Sequence, residues 1–169
     1  MNYFKLLELE QKYDIAPSLL EQQYLNKQLT YHPDKAESEP MRGKYLEISM
    51  QLNDAYKILK DDYMRAEYML KLSGQKFDDD TLKNKLSNSE IEEIIDEYEL
   101  IDEIDQLPKL KEIQLAKNSD KLKLTKELTD CFSNNETAKA LDLTVRLKYL
   151  TNLVRNIKLK IKHADSRDQ

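Results

Sequence analysis

The sequence predicts an all-α fold: a helical hairpin in the first half and an antiparallel three-helix bundle in the second. Two observations carry this. The 169 residues contain only 2 Gly and 4 Pro, and are rich in Leu, Lys, Glu, Asp and Tyr. Straight-chain residues lose little rotamer freedom in a helix. Apolar residues also recur at steps of three and four along every long segment. With 40% hydrophobic residues in that pattern, a disordered chain is excluded.

Residues 3–9 predict a short apolar element of about two helical turns. In "APSLLEQQYLNKQLTY", Ser18 and Glu21 have capping-box spacing, with Leu20, Tyr24, Leu25 and Tyr31 following at helical intervals. Pro33 closes this helix, because proline disfavours α geometry in the residue before it. After a loop to about Pro40, Met41, Tyr45, Ile48, Leu52, Tyr56 and Leu59 mark a second long helix. A short loop joining two long helices implies an antiparallel pair. "DDYMRAEYMLKLSG" predicts a fourth helix, with Gly74 at C′.

The polar stretch from Gln75 to Asn88 reads as a linker, giving domains at 1–75 and 89–169 with 76–88 between them. The second domain predicts a helix from Ser89 to Leu107, with Ser89 and Glu92 as its capping box and Pro108 as its breaker. A helix over 109–132, the turn "SNNE" and a helix over 137–163 follow. On the last helix Leu143, Leu147, Leu150, Val154, Ile157 and Ile161 form one stripe. Tyr149 lies about 120° from it, either flanking the core or exposed.

The helix 89–107 carries two apolar faces: Leu100, Ile101, Ile104 and Leu107 on one side, and Ile91, Ile94, Ile95 and Tyr98 on the other. One face suffices for one core. The second face meets either the first domain or a separate protein, and the pattern leaves both open. Residues 87–107 hold nine acids and no Lys or Arg, whereas 135–163 hold seven basic residues and two acids. Either the helices complement each other's charge, each exposed pair contributing about 0–1 kcal/mol, or the acidic surface steers a basic partner.

Composition narrows the function classes. A net charge of −5 argues against general nucleic-acid affinity. Cys131 is the only cysteine, so an internal disulfide and a thiolate-held Fe–S cluster are excluded, and a reducing compartment is expected. His32 and His163 offer no metal-ligand spacing, so no cofactor or metal is expected. No stretch resembles a targeting peptide or a membrane span, which predicts a soluble cytoplasmic protein. No nucleophile–base pair or phosphate loop supports enzyme chemistry. Cys131 beside Phe132 reads as a small buried hydrophobe, His163 as a solvated tail residue, and Arg65 and Glu67 as internal contacts.

"LTYHPDKAES" is unexplained by helix termination alone. His32-Pro33-Asp34 falls at the tip of the predicted hairpin, and in that position it resembles the J domain of DnaJ-type co-chaperones. The resemblance implies a contact with a DnaK-type chaperone that triggers ATP hydrolysis. Pro33 holds the corner rigid. Asp34 offers a carboxylate to a cation, and His32 shapes the loop. Lys27 and Lys35 are the cations beside this motif. J domains usually carry a more basic helix there, and Glu21 opposes what little charge this one has.

"MNYFKLLEL", "QLNDAYKILKDDYMRAEYML", "ELIDEID", "NNET" and "TVRLKYL", in that order, are similar to the HscB family of iron–sulfur co-chaperones. That resemblance implies that the bundle binds the scaffold protein IscU through Ile94, Ile95, Tyr98, Glu99, Asp102 and Tyr149, while the hairpin recruits an HscA-type ATPase. A J protein with a different client is the alternative.

Overall fold

The computed structural model describes residues 2–78 and 85–166. Among the described residues the secondary structure consists of seven α-helices and one 3-10 turn, with no strand. The predicted all-α class holds. Two compact units divide the chain, Met1–Met69 and Leu70–Gln169. The expected linker falls in part on residues 79–84, outside those described.

In the first unit, α1 (Tyr3–Leu6) is a single turn rather than two. Asn2 Oδ1 caps it, accepting the Phe4 N–H at 2.9 Å. Glu8 leaves it with φ +53°, a left-handed conformation that ends a helix. The Tyr3 N–H donates to Tyr68 Oη at 2.9 Å and the two rings stack at 4.7 Å, which seats Phe4 in the core.

Helix α2 (Pro17–Thr30) starts on its proline, with Ala16 as N-cap and no side-chain cap. The expected Ser18–Glu21 box is therefore absent. Proline's preset φ begins the helix one residue before Ser18, which leaves Ser18 inside the first turn. Helix α3 (Glu39–Lys60) likewise takes Pro40 into its first turn, behind a Ser38 cap that accepts the Met41 N–H at 3.4 Å. Thus Pro40 opens the helix instead of closing the loop.

The base of the hairpin is apolar, with Leu20, Leu52, Ala55 and Leu59 buried. Toward the tip the contact becomes aromatic and polar. Tyr24 stacks on Tyr56 at 4.2 Å and Tyr31 meets Tyr45 edge-on at 5.5 Å. The Tyr24 hydroxyl and the Gln28 amide both donate to Asn53 Oδ1, at 2.8 and 2.7 Å, and Ser49 Oγ donates to Gln28 Oε1 at 2.9 Å. Leu25, expected on this face, is exposed, because it lies 100° past Tyr24.

Helix α4 (Asp62–Leu72) follows a tight corner. Buried Arg65 holds that corner: its guanidinium donates to Leu59 O at 2.6 Å and Asp62 Oδ1 at 2.8 Å, and lies 4.8 Å from the Tyr13 ring centre. At the far end Gly74 adopts φ +81°, as expected of a C′ glycine. Its N–H donates to Lys71 O at 3.1 Å and the Gln75 N–H to Leu70 O at 3.0 Å, closing the helix in a Schellman motif.

The second unit holds α5 (Asn88–Glu103), α6 (Leu107–Ser133) and α7 (Thr137–Asp165). The capping box of α5 is Ser87 with Glu90, not Ser89 with Glu92. Both pairs have the spacing, but the extended backbone lies at Ser87 and Ser89 is already helical. Helix α5 ends at Glu103, four residues before the expected Leu107, and Pro108 sits in the first turn of α6 rather than breaking α5. Lys160 Nζ donates to the carbonyls of Ile101, at 2.7 Å, and Asp102. This supplies partners, and a favourable charge, at the C-terminal end of α5.

The bundle core gathers Ile101, Leu110, Leu153, Ile157 and Ile161, with Tyr98, Ile104, Leu107 and Ile113 packed against them half-buried. Each fully buried aliphatic side chain contributes about 1.5–3 kcal/mol. Two expectations change. Leu100 is 58% exposed, because helical phase runs back from Ile101 to Tyr98 and Ile94, and α5 stops before Ile104. On α7, Leu153 is buried while Leu150 and Val154 are only half-buried. Burial also spreads over Ala140, Leu141, Leu143, Thr144, Val145 and Leu147, beyond any single stripe. No described helix is long and apolar enough to cross a membrane.

Candidate functional site

His32, Pro33 and Asp34 form a corner between α2 and α3, with Pro33–Lys35 in a 3-10 turn. Pro33 occupies the first position of that turn, where its missing N–H leaves no partner wanting. His32 Nδ1 accepts the Asp34 N–H at 3.3 Å, and His32 O accepts the Lys35 N–H at 2.9 Å. The imidazole is therefore a cap, built from a side chain and aimed back at its own turn. The Asp34 side chain is 79% exposed, with Oδ2 3.6 Å from His32 Nδ1. Lys35 is exposed beside it. The corner offers a rigid, outward carboxylate that loses little entropy on meeting a cation.

Lys27 differs from the other four. Its ammonium pairs with Glu8, and its side chain is only 20% exposed. It is turned toward the N-terminal segment rather than gathered with the HPD corner.

In the second unit, Ile94, Tyr98 and Tyr149 come together. They line a cavity of about 460 Å³ among α5, α6 and α7, open to solvent. Its floor adds Leu86, Leu124, Leu150 and Leu153, and its rim Glu90, Glu93, Glu97, Asp120 and Arg146. The other three predicted residues, Ile95, Glu99 and Asp102, are exposed on α5 and do not line it. Burial raises the Tyr98 hydroxyl above its ordinary value, with the nearby Glu97 carboxylate adding to this. The rim is pinned by ion pairs. Arg146 donates to Glu90 at 2.9 Å, and Lys117 pairs with Glu97. Ser87 holds the Glu90 carboxyl below its ordinary value, first through its backbone N–H and then through its hydroxyl, with Arg146 adding to the effect.

The acidic helix thus finds part of its complement within the bundle, while Glu92, Glu93, Asp96 and Glu99 remain exposed. Sequence reasoning missed Leu124, Leu153 and Arg146 as cavity members. Leu153 precedes Val154, and the choice of register along α7 hid it. Cys131 is buried, and that burial raises its thiol above the ordinary value, so it is an unreactive core residue. His163 is exposed.

Comparisons with known proteins agree with this geometry. A DnaJ domain family matches residues 2–68, and the family described as the HSCB C-terminal oligomerisation domain matches residues 90–158. The co-chaperone protein HscB homolog of Shewanella baltica (strain OS185) is 29% identical over 163 residues, 90% of this chain and 92% of its own. Co-chaperone protein HscB of Buchnera aphidicola (subsp. Acyrthosiphon pisum, strain APS) is 38% identical over 109 residues, 63% of this chain and 60% of its own. The solved structure of chaperone HscB from Vibrio cholerae matches with a TM-score of 0.79 at 27% identity, over 97% of this chain and 99% of that one. Human co-chaperone protein HscB shares the fold, with a TM-score of 0.86 at 24% identity over 95% and 82% of the two chains.

A hairpin tipped by an HPD turn, in a chain with those relatives, defines a J-domain co-chaperone. Such a protein acts through a partner's ATPase and performs no chemistry of its own. Within that class the chain belongs to the HscB family.

Proposed function

We propose that this co-chaperone serves iron–sulfur cluster assembly in the cytoplasm. Residues 89–169 hold an IscU-type scaffold protein, and residues 1–75, joined through 76–88, recruit an HscA- or DnaK-type chaperone and stimulate its ATPase. His32, Pro33, Asp34 and Lys35 make the chaperone contact, with Lys27 a paired cation behind them. Ile94, Tyr98 and Tyr149 make the apolar centre of the scaffold contact, with Ile95, Glu99 and Asp102 at its edge. The cluster is the scaffold's cargo. Binding at the corner stimulates hydrolysis only insofar as it favours the hydrolysis-competent state of the ATPase.

The observation carrying this reading is the outward Asp34 carboxylate on its capped turn. An open apolar cavity with an acidic rim in the other unit supports the second half. The test is ATP turnover by a purified HscA-type chaperone, titrated with this protein and with IscU. Stimulation by the wild type and its loss in Asp34→Ala, with IscU capture retained, is the expected result. Retained stimulation in Asp34→Ala, or failure of the wild type to capture IscU, overturns the corresponding half.

A further inference from the structure

The two halves of α5 are held to the bundle by different forces. Its C-terminal half is held by burial. Ile101 is the only buried residue of the helix, Tyr98 packs half-buried against the same core, and Lys160 Nζ donates to the Ile101 and Asp102 carbonyls. Its N-terminal half has no buried side chain. Ile91 and Ile95 are exposed and Ile94 is half-buried, and this half borders the 460 Å³ cavity instead of a packed core. What ties it down is charge. Lys85, just before the helix, pairs with Asp142 of α7 at 2.9 Å, Arg146 of α7 donates to Glu90 at 2.9 Å, and Lys117 of α6 pairs with Glu97. These six side chains are between 22% and 58% exposed. Such pairs are individually weak and are screened by salt. Arg146, Leu153 and Lys160 follow one another at seven-residue steps, so α7 turns a single line of contacts toward α5. That line is ionic at its first position, apolar at its second and a hydrogen-bonded anchor at its third.

We infer that α5 is a hinged wall of the cavity: its N-terminal half swings away from α6 and α7 about a pivot at Ile101 and Lys160, and this opening admits an apolar side chain of the scaffold to the floor at Leu150 and Leu153. This rests on the scaffold contact proposed above. From Ile101 back to Asn88 the helix spans about 20 Å, so a tilt of about 10° carries its start by about 3 Å. That displacement parts the Lys85 and Glu90 pairs and loosens the Glu97 pair, while Ile101 stays seated. No fully buried side chain leaves the core, so the ion pairs set most of the resistance to opening. Salt therefore loosens the first half of α5 and leaves the second half, held by apolar burial, in place.

The experiment reads the opening first without a partner. Leu153 is 3% exposed, so Leu153→Cys in a full chain carrying Cys131→Ala places a covered thiol on the cavity floor. Its labelling by dithiobis-nitrobenzoate is timed at about 20 and about 500 mM salt. In the wild type the native Cys131, buried in α6 outside the cavity, reports any general loosening. Lys85→Gln/Lys117→Gln removes two of the three pairs through residues that do not line the cavity. Lys109→Gln/Lys139→Gln removes the same charge from the local pairs with Glu112 and Glu136 and is the control. Labelling of Leu153→Cys is expected to accelerate at least about fivefold in high salt, and equally at low salt in the Lys85/Lys117 variant but not in the control, while Cys131 changes less than about twofold. Without the cysteine changes, the Lys85/Lys117 variant is expected to associate with IscU at least about threefold faster than the control. Labelling that ignores both salt and the Lys85/Lys117 change overturns the hinge. Equal acceleration at Cys131 also overturns it, since the whole bundle is then opening. Faster labelling with IscU association no faster than the control overturns the admitting role. Failure of the wild type to bind IscU instead overturns the scaffold reading, and the labelling rates are read independently of it. Circular dichroism checks folding, and if Leu153→Cys loses helicity, Leu150→Cys, half-buried on the same floor, carries the same comparison.

Discussion

His32 and Asp34 are joined across Pro33: the Asp34 N–H donates to His32 Nδ1 at 3.3 Å, so the histidine caps the turn that presents the aspartate. The ring's task in the isolated protein is conformational. His32→Ala removes the acceptor and frees the corner, and stimulation of the chaperone is expected to fall at least tenfold. Asn has a short acceptor suited to the same capping geometry. His32→Asn is therefore expected to recover part of the loss. Equal half-maximal concentrations for the two variants, in an ATP-turnover titration, would show that the ring acts in some other way.

Tyr98 and Tyr149 line the cavity of the bundle from α5 and α7. Replacing both by Ala removes aromatic walls of the kind that dominate binding energies. Scaffold capture is expected to weaken at least tenfold, and ATPase stimulation in the absence of scaffold to stay within twofold of wild type. Calorimetric titration with IscU reads the first and a turnover assay the second. A loss of both activities with unchanged helicity would contradict the division of labour.

Arg65 is buried at the α3–α4 corner, where it serves Leu59 O and Asp62 and lies beside the Tyr13 ring. Met keeps much of its length but supplies no donor, leaving Leu59 O without this bond. Arg65→Met is expected to cost about 2–3 kcal/mol of stability in urea unfolding. A change below about 0.5 kcal/mol would mean that the corner is held by packing alone.

Glu90 gives the second unit an acid-sensitive helix start. Its carboxyl is held below the ordinary value mainly by Ser87, with help from Arg146. A depressed folded pKa contributes stability that is complete above the unfolded value and disappears as pH falls through the folded one. The loss therefore begins below about pH 4.3, the ordinary Glu value, and not near neutrality. Glu90→Gln is expected to flatten this part of an acid titration followed by circular dichroism. Superimposable acid profiles for the two proteins would remove Glu90 from the account.

By itself the sequence determined the helices, the capped end at Gly74 and the placement of His-Pro-Asp at a corner, because these depend on local dihedral preferences and on apolar spacing within one helix. It also singled out Tyr98 and Tyr149. Tertiary structure alone decided the rest. Whether Ser87 or Ser89 caps α5 depended on where the incoming chain is extended. Whether Leu100 or Tyr98 faces the core depended on where α5 stops, and a lysine 58 residues beyond Asp102 supplies partners to the end of that helix. The Gln28–Ser49–Asn53 contact, which turns Leu25 and Leu29 outward, needs two helices already side by side. Local propensity acts within a few residues, whereas burial is assigned only when distant elements compete for the same contact, and that competition has no signature in any one helix.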